Sequence, residues 1–219
     1  FDFDSVLSIP KQAPYRITWI ETRRGLHPQE EKSLFKIQKI LEEHAQWIQA
    51  LADFIRQGHR AIFVIGNHDI ELHWKSVQTF IIDKMNLTEE QKENVRFVEW
   101  FYISNMDTLI EHGNQYDPYC VCSDPINPFV LKFNRLEARL PFGNVACRYM
   151  LNGMGFFNPH VDTAYLLTVK QYVRFFLRYM LWSQPMVVWT WIWGAVASLW
   201  QTVIDHLMPS VKDPLNLED

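Results

Sequence analysis

The sequence predicts an α/β fold, and three observations carry that prediction. Stretches with helical periodicity alternate with short apolar, β-branched runs through the first half of the chain; these runs end in turn-forming residues; and the composition, 48% hydrophobic and 21% charged over 219 residues, is that of a chain able to bury a core. The same composition excludes intrinsic disorder, which needs low hydrophobicity and high net charge. Only 8 glycines and 3 cysteines exclude collagen-like and disulfide-scaffold classes. Lys plus Arg number 21 against 25 Asp plus Glu, a formal charge of −4, so the surface as a whole is not built to hold nucleic acid.

From Glu30 to Gly58, Leu34, Ile37, Leu41, Ile48, Leu51 and Ile55 recur at helical steps and mark one stripe of an amphipathic helix, with Gly58 placed to end it. Ala61 to Ile65 is a short apolar run that suits a strand covered on both faces, stopping at Gly66. A second helix is expected from about Ile70 to Met85, and Thr88-x-x-Gln91 has the form of a capping box opening a short helix. Val95 to Phe101 and Thr108 to Glu111 read as two further strands, expected in one sheet with the first.

After Tyr119 the strand signal fades, and Phe129 to Tyr149 reads as helix or irregular helix. A basic amphipathic helix is expected over Asp162 to Trp182, carrying Lys170, Arg174 and Arg178. Tyr179 through Ile204 contains no charged residue, a length that reaches the transmembrane threshold. Five of the nine tryptophans, Trp182, Trp189, Trp191, Trp193 and Trp200, lie in it. In a simple spanning helix they would cluster at the two ends, because the indole prefers the headgroup interface. Trp189, Trp191 and Trp193 sit mid-run, which fits paired helices lying in the interface beside Lys170, Arg174 and Arg178 better than one span. A helix buried in the protein's own core and a single span from Tyr179 to Ile204 are the alternatives. Division into residues 1–117 and a helical, membrane-associating segment 118–219 follows.

Cys120, Cys122 and Cys147 have no zinc-finger spacing and are expected as reduced, unpaired thiols of a cytoplasmic protein. The first residue is Phe1 and no secretory signal follows it, so the chain is expected to be a piece of something longer.

Two strings could do chemistry. Gly66-Asn67-His68-Asp69 directly follows the first strand, where ligands gather in α/β sheets. An Asn can offer a carbonyl oxygen to a hard metal, a His can donate to a phosphate oxygen, and an Asp can orient the imidazole. An ordinary turn rich in Asn, His and Asp explains the string equally well. His112-Gly113 stands at the end of a later strand, placed either to offer a ring nitrogen to a metal or to bond a backbone carbonyl. His73 could lie near the site mouth, while His27, His44, His59, His160 and His206 are expected on the surface or at helix ends.

Together the two strings resemble the calcineurin-like metallophosphoesterase superfamily, whose pattern runs D-x-H, G-D-x-x-D, G-N-H-D/E, a later-strand His, and G-H-x-H. Gly66-Asn67-His68-Asp69 matches the third block, His112-Gly113 looks like the fourth, and Asp2 could end the second. D-x-H, G-H-x-H and the bridging Asp of the second block are not among the 219 residues. The resemblance implies a partial core of mixed sheets flanked by helices over about 1–117, with a helical insertion after it. It implies a hydrolase acting on a phosphomonoester or phosphodiester through a water activated by two divalent ions, with Mn²⁺ favoured and Fe, Zn or Mg as alternatives. Asn67 and His112 would be ligands of one ion, and His68 would stabilise the phosphoryl group and protonate the leaving oxygen. Asp69 would orient His68, and Asp2 would lie just outside the ligand shell. Without the missing blocks the 219 residues are expected to be inactive alone. The insertion resembles the branch that includes UDP-2,3-diacylglucosamine hydrolase, in which Arg usually stands where this sequence has His68. Peripheral attachment to lipid, and a membrane-borne substrate, are the corresponding expectations. The rival from another class is a non-catalytic membrane-binding scaffold with a degenerate phosphoesterase core.

Overall fold

The Glu30–Gly58 stripe folds as two helices rather than one in the computed structural model, which describes residues 1–151 and 185–207 and the single positions 170, 173 and 177. After a short α1 (Glu21–Arg24), α2 spans Glu30–Glu43 and α3 spans Ala45–Arg56, with His44 between them at φ −109°, ψ 35°. Residues 42–47 are all exposed, and within them Trp47 sets its ring edge-on to Phe1 at 5.5 Å between centroids. The apolar stripe survives the kink: Ile37, Leu41, Ile48 and Ile55 are buried together with Phe3, Ile65, Val77 and Ile81 in the main core.

β1 (Ala61–Val64) pairs in parallel with β2 (Val95–Val98), Ala61 opposite Val95 and Val64 opposite Val98. Between them lie a 3₁₀ turn, Ile70–His73, then α4 (Lys75–Lys84) and α5 (Glu89–Lys92). The expected helix over 70–85 is thus split at Trp74, whose extended backbone (ψ 118°) starts α4 afresh. The capping box forms as expected: Gln91 N donates to Thr88 Oγ1 at 3.3 Å and Thr88 N to Gln91 Oε1 at 3.0 Å. β1 is half-buried along its length, not covered on both faces, because its sheet has only two strands.

The expected strand 95–101 ends at Val98, and Phe101–Ser104 (β3) pairs antiparallel with Thr108–Glu111 (β4) in a separate two-stranded sheet. The strands leading to Asn67 and His112 therefore do not share a sheet. The helix expected over 129–149 is corrected in its first half. Phe129–Lys132 (β5) and Arg135–Ala138 (β6) form a hairpin, with Phe133 and Asn134 at φ 47° and 61° in its turn. That left-handed pair matches the twist of the strands, but Phe-Asn lacks the glycine that would have signalled it.

α6 (Phe142–Ala146) and a π-helical turn, Cys147–Leu151, follow. Arg148 Nη2 donates to the carbonyls of Gly25 and Leu26, tying this segment to the start of the chain. α7 (Pro185–Leu207) packs against both, and Asp205 on it accepts from Lys132 Nζ at 2.6 Å. Of the expected helix 162–182, Lys170, Val173 and Leu177 are helical and exposed, and the remainder, including Arg174 and Arg178, lies outside the described residues.

Charge is buried beside the core. Lys32 pairs with Glu21, and Lys36 with Glu71, all four side chains 1% exposed. Glu71 also accepts from Ser33 Oγ, so the 3₁₀ turn that follows Asp69 is bolted to α2. A buried pair of this kind fixes position more than it adds stability, since desolvation offsets most of the attraction.

Candidate functional site

β1 leaves the core at buried Ile65 and delivers Gly66-Asn67-His68-Asp69 at its carboxyl end. Gly66 N donates to Asp69 Oδ1 at 2.7 Å, closing the loop, and Leu72 N donates to Asp69 O at 2.8 Å, starting the anchored turn. Asp69 Oδ2 accepts from the Phe1 nitrogen at 3.2 Å. The Asp69 carboxylate is thus committed to the loop's own backbone and to Phe1.

The carboxylates that reach His68 come from the start of the chain. Phe3 N donates to His68 O at 3.1 Å, and Asp2 Oδ1 accepts from the backbone nitrogens of Asp4 and Ser5 at 3.0 and 3.2 Å. This tight turn sets Asp2 and Asp4 against the imidazole. His68 Nδ1 donates to Asp4 Oδ2 at 3.1 Å and stands 3.7 Å from Asp2 Oδ1. The two acids, Asp2 first and then Asp4, push the His68 pKa up to about 10, so the ring is an imidazolium at neutral pH. Burial pushes the Asp2 carboxyl upward, but His68 and Ser5 outweigh it and hold the pKa below the ordinary value. His68 is half-exposed, and its Nε2 makes no hydrogen bond among the described residues, so one N–H faces outward from a ring fixed on its other side.

Asn67 is buried, and its amide is gripped by Asn144 of α6, which is fully buried. Asn67 Nδ2 donates to Asn144 Oδ1 at 3.1 Å, while Asn144 Nδ2 donates to Asp4 Oδ2 and, at 2.9 Å, to Asn67 O.

His112 directly follows β4, and Gly113, at φ +93°, turns the chain immediately after it through a conformation that L side chains rarely adopt. Its ring lies flush on Gly66: a Cβ there would meet His112 Cδ2 at 2.3 Å and Nε2 at 2.4 Å. The site loop can accept His112 only because residue 66 has no side chain. The two strings, from different sheets, therefore meet.

For a cation, Asp2, Asp4 and His68 bring one ligand-capable atom each within 4.8 Å of one another. Asp4 Oδ2 and His68 Nδ1 are already bonded to each other, which makes that trio a poor cage. Among the described residues Asn67 Oδ1 accepts no hydrogen bond and the His112 ring nitrogens make none, which leaves one oxygen and one imidazole without a protein partner. Burial pushes the Cys122 thiol up to about 11 and the Cys147 thiol up to about 12, and all three cysteines are unpaired.

Asp4 and Asn144 were missed in the sequence. Asp4 had a signal, the alternation Phe1-Asp2-Phe3-Asp4; Asn144, far away in sequence, had none. His73 is buried, its ring nitrogens facing the carbonyls of Ile70 and Pro125 at 2.8 and 2.9 Å, and it serves the loop packing rather than the site mouth. His27 is mostly buried instead of superficial.

Trp189 and Trp193 lie on α7 and are exposed, as are Ile192, Val196, Leu199, Trp200 and Val203, while Gly194 and Ser198 face inward. No helix among the described residues is long and apolar enough to cross a membrane. No protein-family model, curated protein or solved structure matches the chain.

Proposed function

We propose that this chain supplies part of a metal-dependent phosphoesterase centre. The observation that carries the reading is the geometry of His68: Nδ1 is held by Asp4 Oδ2 at 3.1 Å with Asp2 Oδ1 at 3.7 Å, and Nε2 is unshared among the described residues, one residue from the buried amide of Asn67. Asn67 and His112 would hold one divalent ion, Mn²⁺ by the hardness of the donors, with Fe, Zn or Mg as alternatives and the remaining ligands drawn from the full-length protein. Two such ions, when bound, supply charge neutralisation on the phosphoryl oxygens and an activated water. His68 Nε2–H then donates to a phosphoryl oxygen and passes its proton to the leaving oxygen, while Asp2 and Asp4 orient the ring and favour its charge. Asp69 shapes the loop through Gly66 N.

The test is a panel of phosphomonoesters and phosphodiesters offered to the Mn²⁺-loaded full-length protein, with His68→Ala and Asn67→Ala beside it. His68→Ala lowers kcat about 10²-fold or more at wild-type metal content, whereas Asn67→Ala lowers metal content. Undiminished turnover in His68→Ala overturns the mechanism; no hydrolysis by the loaded wild type leaves the non-catalytic scaffold as the better reading.

A lipid surface is proposed as partner on separate grounds. α7 turns its small and polar residues inward and a row of indole and aliphatic side chains outward, the reverse of a helix that faces water. Tryptophans spread along the whole face, from Trp189 to Trp200, suit a helix lying in the headgroup region.

A further inference from the structure

The orientation of the Asn67 amide is dictated from outside its own loop. Asn144 Nδ2 has two partners, Asp4 Oδ2 at 2.5 Å and Asn67 O at 2.9 Å, and a carboxylate and a peptide carbonyl can only accept. The Asn144 amide can therefore sit only one way round, with Oδ1 toward Asn67. An oxygen there requires a donor opposite, which is Asn67 Nδ2 at 3.1 Å. Asn67 Oδ1 is thereby turned away from Asn144, and it accepts no hydrogen bond among the described residues. If the Asn67 amide were flipped, two oxygens would oppose each other in a buried place, at the full cost of an unsatisfied pair.

We propose that Asn144 is a positioning residue for the cation site: it sets the flip of the Asn67 amide so that a carbonyl oxygen, not an NH₂, is presented for ligation. The inference rests on the reading of Asn67 as a metal ligand. Asn144 sits on a short helix whose place is itself fixed. Gly143 N donates to Tyr119 O at 2.7 Å, and Arg148, one turn beyond, holds the carbonyls of Gly25 and Leu26. Asn144 also bonds the carboxylate that orients His68, so a single buried amide keeps ligand and proton donor in register. Residues so placed behind ligands typically control 10–100-fold of metal affinity.

The experiment titrates Mn²⁺ alone into the full-length protein by calorimetry, in wild type, Asn144→Leu, Asn67→Ala and the double variant. Asn144→Leu keeps the branching at Cγ and removes every hydrogen bond of the amide. The expected result is roughly 10–100-fold weaker binding in Asn144→Leu and no further loss when Asn144→Leu is added to Asn67→Ala, because Asn144 acts through Asn67. A purely structural role would make the two losses add. Affinity within twofold of wild type in Asn144→Leu, or full additivity in the double variant, overturns the inference while leaving Asn67 a ligand. Absence of Mn²⁺ binding by the wild type overturns the ligand reading and this inference with it. Should Asn144→Leu not fold, Asn144→Ser enters the same cycle, with the same two outcomes.

Discussion

Replacing Gly66 by Ala separates the fit of His112 from the stability of the fold. Gly66 is not among the glycines at positive φ, so alanine meets no backbone strain there. The whole perturbation is steric: the new methyl would lie 2.3 Å from His112 Cδ2, where ordinary contact begins near 3.4 Å, so the ring must retreat by about 1 Å. His112 is exposed and free to swing outward, so the cost to folding should fall below the 1–3 kcal/mol typical of an overpacked core, at about 1 kcal/mol or less. Metal bonds tolerate only about 0.2 Å, so an ion held by His112 loses that ligand. Thermal unfolding and Mn²⁺ calorimetry of Gly66→Ala, with and without His112→Ala, measure both quantities. Near-wild-type melting with binding weakened about tenfold or more, and no further loss when His112 is already Ala, is the expected pattern. Wild-type affinity in Gly66→Ala, or a stability loss that persists undiminished in the His112→Ala background, would refute the reasoning.

Three other outcomes follow from the packing. Lys36→Met should destabilise by about 3–5 kcal/mol in denaturant titrations, since it strands Glu71, and Lys36→Met/Glu71→Leu should recover most of that loss. Burial, together with the charge of Arg148, depresses His27 to about 3, so its neutral form stabilises the fold above about pH 6.5 and that contribution drains as pH falls toward 3; His27→Gln should flatten the slope of stability against pH, by up to about 1.4 kcal/mol per unit, in that window. Changing Trp189, Trp193 and Trp200 to Ser should release the full-length protein from liposomes in flotation assays, by about tenfold per residue if each contributes ~1.4 kcal/mol, while melting stays near wild type because the rings are exposed.

Local signals were legible and distant ones were not. The loop Gly66-Asn67-His68-Asp69 after β1, the Thr88–Gln91 box and the end of α3 at Gly58 follow from rules acting over four or five residues, and each is where the sequence puts it. The lysines of α2 escaped notice because periodicity counts apolar residues. Lys32 and Lys36 are buried only because Glu21 and Glu71 arrive from other elements. Asn144 was invisible for the same reason: its partners are 77 and 140 positions away. The hairpin at 129–138 failed on turn chemistry, as Phe133 and Asn134 occupy left-handed positions usually marked by glycine. Asp69, expected against His68, found backbone nitrogens nearer to hand, and Asp4 took its place at the imidazole.

Anomalous diffraction from crystals of the full-length protein equilibrated with Mn²⁺ tests the central claim most directly. The reading predicts a manganese peak within about 2.1–2.2 Å of Asn67 Oδ1 and of a His112 ring nitrogen, with His68 outside the coordination shell and still bonded to Asp4. A peak held instead by Asp2, Asp4 and His68, or none beside Asn67, would contradict it.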